Sequence, residues 1–386
     1  MEPSKVLHML ICYLLVSSRC LAGIVQSNDT LPPGIVIHNS PAITHNYVGS
    51  PSIVIMPDGT YIASHDYFGN KLSDTYVYKS EDRGNSWTQI AVLKFLTWAT
   101  LFNRGNELYL IGISPKSTIG YGDFVVRKSL DYGRSWTKPA DEKSGLIRRG
   151  FYHCAPVPIV RHEGRYWRAI ENMGQDWGWG PFSALMTSIP YKADLLDAGQ
   201  WTLSNEIRFS PSWKAGATAW LEGNAVVTKN GEVKDILRVA YGPDDVAAMA
   251  SVSPDGTKLS FNFQTDFIRF PGGAKKFTIR YDKKSRKYWT ISNFVLSKDR
   301  QESDNGGIRN TLVLMNSDDL RTWCITDTLL TCDNPELYGF QYADWQFDGN
   351  DIIFVSRTAW KDASGNPPRQ HDANYLTFHR VCNFRS

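Results

Sequence analysis

The sequence predicts an all-β protein, a six-bladed β-propeller of four-stranded antiparallel blades, with seven blades as the alternative count. A nearly identical octet occurs twice, beginning at Ser80 and at Ser129, so that one unit repeats after 49 residues. Alternating or β-branched runs of five to ten residues fill the chain, and aromatic residues make up 13% of it, which suits packed sheets. Such a period in a strand-rich chain is typical of one four-stranded unit repeated around an axis.

The repeated octet reads S-x-D-x-G-x-S-W, as SEDRGNSW at 80–87 and SLDYGRSW at 129–136. We expect a tight hairpin at each copy, because Asp accepts hydrogen bonds from turn amides and Gly permits a positive φ, while Trp packs back onto the sheet. Weaker copies are NSDDLRTW at 316–323, SPDG at 253–256 and DAGQW at 197–201. The octet therefore indicates architecture and not chemistry.

The strand patterns fall into groups of four, each of which would form one blade. The groups cover 50–94, 98 to beyond Trp136, 153–209, 222–267, 276–330 and 341–381. The sixth group has three strand patterns, and GIVIHNS at 34–40 is a strand pattern without a group. We therefore expect this N-terminal strand to complete the last blade and close the ring. The third and fifth groups are longer than four strands require, so a seventh blade stays open.

The first 23 residues, MEPSKVLHMLICYLLVSSRCLAG, carry one Lys before an apolar run from Val6 to Val16. The run is too short to span a bilayer. It is typical of a signal peptide that is cleaved near Ala22 or Gly23, and a buried N-terminal helix is the alternative. We expect a secreted or periplasmic protein with one domain at 24–386 and no membrane span once the signal is removed.

The balance of charge and the cysteines exclude several classes of function. Forty-two Lys and Arg against 39 Asp and Glu give a net charge of +3, too small to indicate a nucleic-acid partner. No metal-ligand spacing and no EF-hand, Walker or Rossmann pattern is present, so we expect no metal and no cofactor. Cys324 and Cys332 are candidates for a disulfide across a bend; the alternative is that they are buried thiols, as are Cys154 and Cys382.

The octets match the Asp box of the sialidase superfamily, and the chain resembles that superfamily of β-propeller glycoside hydrolases over essentially its whole mature length. The resemblance implies an exo-acting glycosidase whose site lies where the inner strands converge on the axis. It also implies a Tyr nucleophile paired with a Glu, an Asp that acts as acid and base, and three Arg residues that hold a sugar carboxylate. A glycosidase needs one group to protonate the leaving oxygen and another to capture the anomeric carbon.

Three segments match the working parts of that family. EGNAVVTKNGEVKDILR resembles its Glu–strand–turn–strand–Arg segment, which implies Glu222 as the partner of the Tyr and Arg238 as a substrate-binding arginine. RNTLVLMNSDDLRTW places Arg309 just before a weak octet, as the family does for another arginine. YGFQYADWQFDGN implies Tyr342 as the nucleophile, with Tyr338 as the alternative.

The first blade departs from the family. GSPSI has Ser50 where the resemblance implies an arginine, so recognition of a sialic-acid carboxylate by three arginines is not expected in its usual form. The catalytic acid is expected after the next strand, where SHDYFGNKLSD offers His65, Asp66 and Asp74. We rank Asp66 and His65 above Asp74, because both fall at the end of the second strand.

Histidines offer a second mechanism, since imidazole moves protons near neutral pH. His65 is one candidate. His153 and His371, the latter beside Asp372, are candidate substrate-binding residues if they reach the axis. Each has a structural role as its alternative. A His-centred site is a feature of propeller glycosidases and uronate lyases that resemble this architecture.

Tryptophans are candidates for stacking on sugar rings. Trp177 and Trp179 lie in the Gly-rich stretch DWGWGPF, which we expect to form a loop at the rim of the site, and Trp220 is a further candidate substrate-binding residue. Plain packing within a blade is the alternative for all three.

We therefore predict an exported glycoside hydrolase that cleaves terminal acidic sugars from glycans or polysaccharides. One alternative is a His-dependent propeller glycosidase or lyase acting on a uronate-containing polysaccharide, and another is a non-catalytic glycan-binding propeller. A protein-interaction propeller is the third. The expected partner is a glycan or polysaccharide, with no nucleic acid, and we expect a monomer.

Overall fold

The structure is a computed structural model that describes residues 31–69, 74–116, 121–174 and 182–386. Within these ranges the chain is all-β, with 27 strands and three short 3-10 helices at Ala42–Thr44, Ala198–Gln200 and Pro211–Trp213. None of the described segments forms a helix with the length and apolarity that crossing a bilayer requires.

The first ten strands are β1 (Ile35–Asn39), β2 (Asn46–Val48), β3 (Ser52–Ile55), β4 (Tyr61–Gly69), β5 (Asp74–Ser80), β6 (Thr88–Lys94), β7 (Thr97–Arg104), β8 (Glu107–Pro115), β9 (Gly122–Ser129) and β10 (Leu146–His153). The next ten are β11 (Val160–His162), β12 (Arg165–Asn172), β13 (Ser183–Pro190), β14 (Thr202–Leu203), β15 (Ile207–Arg208), β16 (Ala217–Val227), β17 (Val233–Tyr241), β18 (Val246–Val252), β19 (Leu259–Ser260) and β20 (Phe267–Arg269). The last seven are β21 (Thr278–Asp282), β22 (Lys287–Asn293), β23 (Thr311–Ser317), β24 (Cys324–Thr331), β25 (Gly339–Asp348), β26 (Asp351–Ala359) and β27 (Tyr375–Val381).

The strands form antiparallel sheets in a β-propeller arrangement. Four sheets have the orders β2-β4-β5-β6 with β3 also on β4, β16-β17-β18-β19 with β20 on β18, β21-β22-β23-β24, and β1-β27-β26-β25. The remaining sheet has nine strands, because β10 pairs with both β9 and β12 and so joins β7-β8-β9 to β12-β13-β14. The sheets otherwise follow the strand groups predicted from the sequence.

The last sheet is completed from the other end of the chain, as the sequence predicts. β1 pairs antiparallel with β27, and its register runs from Ile35 opposite Phe378 to Asn39 opposite Tyr375. The N-terminal strand therefore supplies the fourth strand of the sheet that ends at Val381.

The apolar core lies between neighbouring sheets. Ile53 and Ala63 of the first sheet pack with Ile353 and Val355 of the last one, and all four side chains are fully buried. A sheet covered on both faces favours continuous apolar runs over strict alternation. This packing leaves the ends of the inner strands as the place where polar side chains gather.

The two octets fold into the same turn. Asp131 accepts hydrogen bonds from the backbone N–H and the hydroxyl of Ser135, and Gly133, at φ 91°, donates its N–H to Ser129 Oγ over 2.8 Å. Trp136 donates its indole N–H to the carbonyl of Gly133 over 2.8 Å. The equivalent bonds recur in the octet at 80–87. The Asp, Gly and Trp thus have the turn roles that the sequence predicts.

The predicted bend between Cys324 and Cys332 is wrong, because β24 occupies Cys324–Thr331. Eight extended residues span about 26 Å, whereas the Cα atoms of a disulfide lie within about 7 Å of each other. The alternative of buried thiols holds for Cys154 and Cys332 but not for Cys324 and Cys382, which are exposed.

Candidate active site

Three inner strands, β7, β16 and β25, carry the same irregularity. In each, two residues oppose one residue of the neighbouring strand, which is a β-bulge. The first of the two has a positive φ in every case: 53° at Trp98, 57° at Glu222 and 57° at Tyr342. A bulge bends its strand and re-aims a side chain, and such features are common next to active sites.

The bulges of β16 and β25 bring the predicted catalytic pair together. Tyr342 donates its hydroxyl to Glu222 Oε1 over 2.7 Å. Arg238, on β17, donates from Nη1 to Glu222 Oε2 over 2.9 Å and to the Tyr342 hydroxyl oxygen over 3.2 Å. Glu222 is 2% exposed and Tyr342 8%, so the three groups form one buried hydrogen-bonded unit.

The charges around this unit favour an ionised carboxylate beside a protonated phenol. Burial acts to raise the pKa of Glu222, but the charges of Arg238 and His153 and the hydrogen bond from Tyr342 hold it below its ordinary value. Burial and the negative charge of Glu222 raise the pKa of Tyr342. Glu222 is therefore ready to accept the phenolic proton when Tyr342 forms a new bond.

Two more arginines surround Tyr342. Arg309 and Arg357 both donate to Gln341 Oε1, over 2.8 and 3.1 Å, and the Arg357 guanidinium lies 3.9 Å from the centre of the Tyr342 ring. Both side chains are buried, and neither Nε has a hydrogen-bond acceptor among the described residues. Burial, and then repulsion from Arg238, lowers the pKa of Arg309 to about 10.

Asp66 ties the beginnings of two inner strands together. Its Oδ1 accepts from the backbone N–H of Ser50 over 2.5 Å, and its Oδ2 accepts from the Thr97 hydroxyl and the backbone N–H of Trp98, each over 2.5 Å. Burial raises the pKa of Asp66, although these three donors act against the rise. Ser50, where the sequence resemblance implies an arginine, contributes its backbone N–H here.

The two other candidates from the same segment lie elsewhere. His65 is fully buried on the opposite face of β4 from Asp66, and its Nε2 lies 3.1 Å from the Tyr78 hydroxyl inside an aromatic cluster. Asp74 begins β5 and pairs with Lys94 over 2.6 Å. Of the three predicted acids, Asp66 is thus the one that contacts the inner strand carrying Trp98.

His153 lies beside Glu222 and pairs with a carboxylate that the sequence did not single out. Its Nδ1 is 3.1 Å from Oε2 of Glu171, and both side chains are at least 95% buried. The other oxygen of Glu171 accepts the backbone N–H of Gly223 over 2.9 Å. Glu171 therefore links His153 to the bulge that presents Glu222.

His371 lies near the arginines. Its Nδ1 is 2.8 Å from Asp372 Oδ1, and a third of the side chain is exposed. Burial and the charges of Arg357 and Arg309 lower the pKa of His371 to about 3, in spite of the bond to Asp372. The imidazole is therefore neutral above that pH and suited to accept a hydrogen bond from a sugar hydroxyl.

Trp220 does not have the sugar-stacking role that was a candidate for it. Trp220 has no exposed surface, and it donates its indole N–H to the carbonyl of Phe182 over 2.8 Å while its ring packs against Phe209 and Phe261. No face of the ring is left for a sugar, so the packing alternative describes Trp220. Trp177 and Trp179 lie outside the described residues.

The solved structures that resemble this chain include glycoside hydrolases. An α-L-arabinanase of Penicillium chrysogenum complexed with arabinobiose is 12% identical, with 92% of this chain and 98% of that one covered and a TM-score of 0.56. An α-L-arabinofuranosidase from Fusarium graminearum is 12% identical, over 93% and 100%, with a TM-score of 0.57. Trypanosoma rangeli sialidase in complex with the inhibitor DANA is 16% identical, over 94% and 59%, with a TM-score of 0.57.

These similarities establish the fold. The chain has the sialidase-like β-propeller fold, and the resemblance predicted from the sequence is confirmed at that level. No protein-family model matches the sequence, and no curated protein sequence does either. The activity is therefore argued from the site.

Sequence reasoning missed three residues of the site: Trp98, Glu171 and Arg357. Each stands in an ordinary strand pattern, TWATLF, RAIEN and VSRTA. Glu171 and Arg357 could have been noticed, because each is a charged residue inside an apolar strand pattern and charged side chains are seldom buried without a partner. No signal in the sequence marks the bulge at Trp98.

Proposed function

We propose that this protein is an exo-acting glycoside hydrolase that removes a terminal acidic sugar from a glycan or polysaccharide. The observation that carries the proposal is the 2.7 Å hydrogen bond from Tyr342 to Glu222, with Arg238 bonded to both. A nucleophile that is bonded to its base, with the base oriented by a third group, is the arrangement that activates a weak nucleophile.

In this mechanism Tyr342 attacks the anomeric carbon while Glu222 takes its proton. The bond from the anomeric carbon to the leaving oxygen breaks, and that oxygen takes a proton from Asp66. Water, with Asp66 as base, then attacks the anomeric carbon of the glycosyl–tyrosine intermediate. The bond from that carbon to the tyrosine oxygen breaks, and Glu222 returns the proton to the phenolate. The raised pKa of Asp66 favours the protonated acid that the first step needs.

The arginines support an acidic sugar. Arg238, Arg309 and Arg357 lie around one phenol ring, and Glu222 is the carboxylate hydrogen-bonded to this group. Three guanidinium groups therefore lie beside a single carboxylate that is hydrogen-bonded to one of them, and a sugar carboxylate would offset part of this excess positive charge. A phenol nucleophile also avoids bringing a second carboxylate against an anionic sugar.

The test is a release assay with three substrates. They are 3′-sialyllactose, arabinobiose and a disaccharide that carries a terminal glucuronate. We expect release of an acidic sugar, and we expect Tyr342→Phe to abolish it. Release of arabinose alone would contradict the acidic specificity. Binding without turnover on all three would replace the proposal with the non-catalytic glycan-binding propeller.

The His-dependent alternative rests on the contact between His153 and Glu171, 3.1 Å apart beside Glu222. A buried carboxylate orients an imidazole for proton transfer. In this scheme His153→Asn abolishes turnover of a uronate polysaccharide, while Tyr342→Phe stays near wild type. Formation of an unsaturated uronate, seen by its ultraviolet absorbance, would identify a lyase.

We also propose that the nine-stranded sheet comprises two blades, which makes six in all, and that residues 24–386 form one propeller domain of a monomeric protein. The two blades would be β7 to β10 and β11 to β15. Export with removal of residues 1–23 belongs to the same proposal. N-terminal sequencing of the secreted protein tests the cleavage, and light scattering tests the oligomeric state.

A further inference from the structure

The backbone at Trp98 is held in a conformation that bulky residues avoid. Its φ of 53° lies in the left-handed region, which is strained for a residue other than Gly and persists where the surroundings impose it. Asp66 imposes it here, because Oδ2 accepts both the Trp98 N–H and the hydroxyl of Thr97. Strain of this kind clusters at functional sites.

The three bulges are equivalent in their surroundings as well as in φ. Each is followed by a small residue and then by a polar residue that accepts a backbone N–H from the next inner segment around the ring. The accepted bonds are Val157 N–H to Thr100, Ile279 N–H to Asn224 and Ile53 N–H to Asp344, over 3.2, 2.9 and 3.0 Å. The three bulges therefore share one local backbone arrangement and one kind of contact with the next inner segment.

Two of the three bulged residues, Glu222 and Tyr342, meet in a hydrogen bond. The third is an indole whose ring lies 4.5 Å from that of His153. From there contacts lead through Glu171 to the backbone of Gly223, next to Glu222. The indole thus lies on the Asp66 side of the catalytic unit and remains partly exposed.

We infer that Trp98 stacks on the sugar ring of the leaving group, so that the enzyme acts on substrates whose terminal residue is joined to a second sugar. This inference rests on the proposed function. Asp66, the proposed acid, holds the Trp98 amide and delivers its proton to the leaving oxygen, so the side chain next to it faces the leaving group. The C–H face of a pyranose or furanose suits an indole surface.

The test compares two substrates on one variant. The first substrate is the oligosaccharide that wild type cleaves in the release assay, whether sialyllactose, the glucuronyl disaccharide or arabinobiose, and it carries a leaving-group sugar. The second is the glycosyl fluoride of the released sugar, which carries none. Trp98→Asn removes the ring and keeps a residue that tolerates a positive φ. We expect kcat/KM for the oligosaccharide to fall about tenfold or more, mainly through KM, and kcat/KM for the fluoride to stay near wild type.

The conservative variant Trp98→Phe should recover most of the loss, and Trp136→Phe, in an octet, is the matched control. The ratio of the two substrates does not depend on how much protein is folded. Equal losses on both substrates would show a structural role and overturn the inference. If wild type hydrolyses neither substrate, the proposed function fails by itself. Saturation-transfer NMR with sialyllactose and arabinobiose then tests whether Trp98 binds the leaving-group sugar. A spectrum that shows no contact between the protein and the leaving-group rings rejects this role of Trp98.

Discussion

The hydroxyl of Tyr342 lies 2.7 Å from Oε1 of Glu222, although the two residues are 120 positions apart and come from different sheets. Both lie at bulges with φ of 57°. The contact is thus formed by two matching distortions of regular strands, and it depends on the sheet of β21, which lies between the two strands.

Tyr342→Phe and Glu222→Gln should each lower kcat by about 10²–10⁴-fold, because each removes part of one acting unit. The double variant should be little slower than the slower single variant. Steady-state kinetics on the substrate that wild type cleaves in the release assay measure this. Tyr338→Phe is the matched control, since Tyr338 donates its hydroxyl to Asn366 and packs on Trp360. Additive losses in the double variant would argue against a shared role.

Arg238→Met should shift the acidic limb of the pH–rate profile to higher pH. Glu222 has a pKa lowered by Arg238 and must be ionised to accept a proton, so its function is lost as pH falls through that pKa. Without the arginine, burial dominates and the pKa rises. The free energy of unfolding should also fall by about 3–5 kcal/mol at neutral pH, because Glu222 is then a buried charge without its partner. This loss should be smaller below the raised pKa of Glu222, where the carboxyl group is neutral.

The double variant with Arg238→Met and Glu222→Gln separates the causes. It should recover part of the stability, because no buried charge remains without its partner. Equal instability of the single and double variants in urea titrations would show that the cost comes from lost packing.

Arg357→Met should raise KM for an acidic sugar about tenfold and leave KM for arabinobiose unchanged, because the substitution removes the positive charge that lies over the Tyr342 ring. Arg83→Met is the control, since this exposed arginine pairs with Asp348 at the surface, where ion pairs contribute little. A similar rise in KM for both substrates would contradict a carboxylate-binding role.

The sequence predicts the strand groups, the closing strand and the residues of the Tyr342 unit, because hydrophobic patterns and a family motif are local. It does not predict Arg357, which reaches Tyr342 from the neighbouring strand, or Glu171, which supports Glu222 from another sheet. Both depend on register, and a bulge of one residue changes which side chains face the axis. The bend expected at Cys324 fails for a related reason, since its β-branched and apolar residues pair with β23.

Trp136→Ala should lower the free energy of unfolding by about 2 kcal/mol and leave kcat/KM unchanged. The ring is half-buried against a core cluster that includes Leu108 and Leu110 of β8, so the loss is smaller than the ~3–5 kcal/mol of a fully buried Trp. Urea denaturation measures the change. A variant with full stability and no activity would contradict the architectural role of the octet.

Asp131→Asn should destabilise the protein at neutral pH and make less difference in acid. Burial acts to raise the pKa of Asp131, but hydrogen bonds from Ser135 and Ser129 lower it to about 2, below the value of about 3.9 in an unfolded chain. The stabilisation is therefore present above pH 4 and is lost as pH falls towards 2. Unfolding free energies between pH 3 and 7 measure it, and a difference from wild type that does not shrink would argue against this origin.

The pairing of β1 with β27 also sets the order of events during biosynthesis. A chain made from its N-terminal end exposes residues 35–39 long before residues 375–381 leave the ribosome, so the last sheet is the final one to be completed. The entropy of closing so long a loop grows only with the logarithm of its length, so the delay costs time more than stability. During that delay β1 is an unpaired strand edge, open to pairing with another nascent chain. A circular permutant that joins the two ends and opens in a turn between other sheets would make this pairing local and should assemble faster.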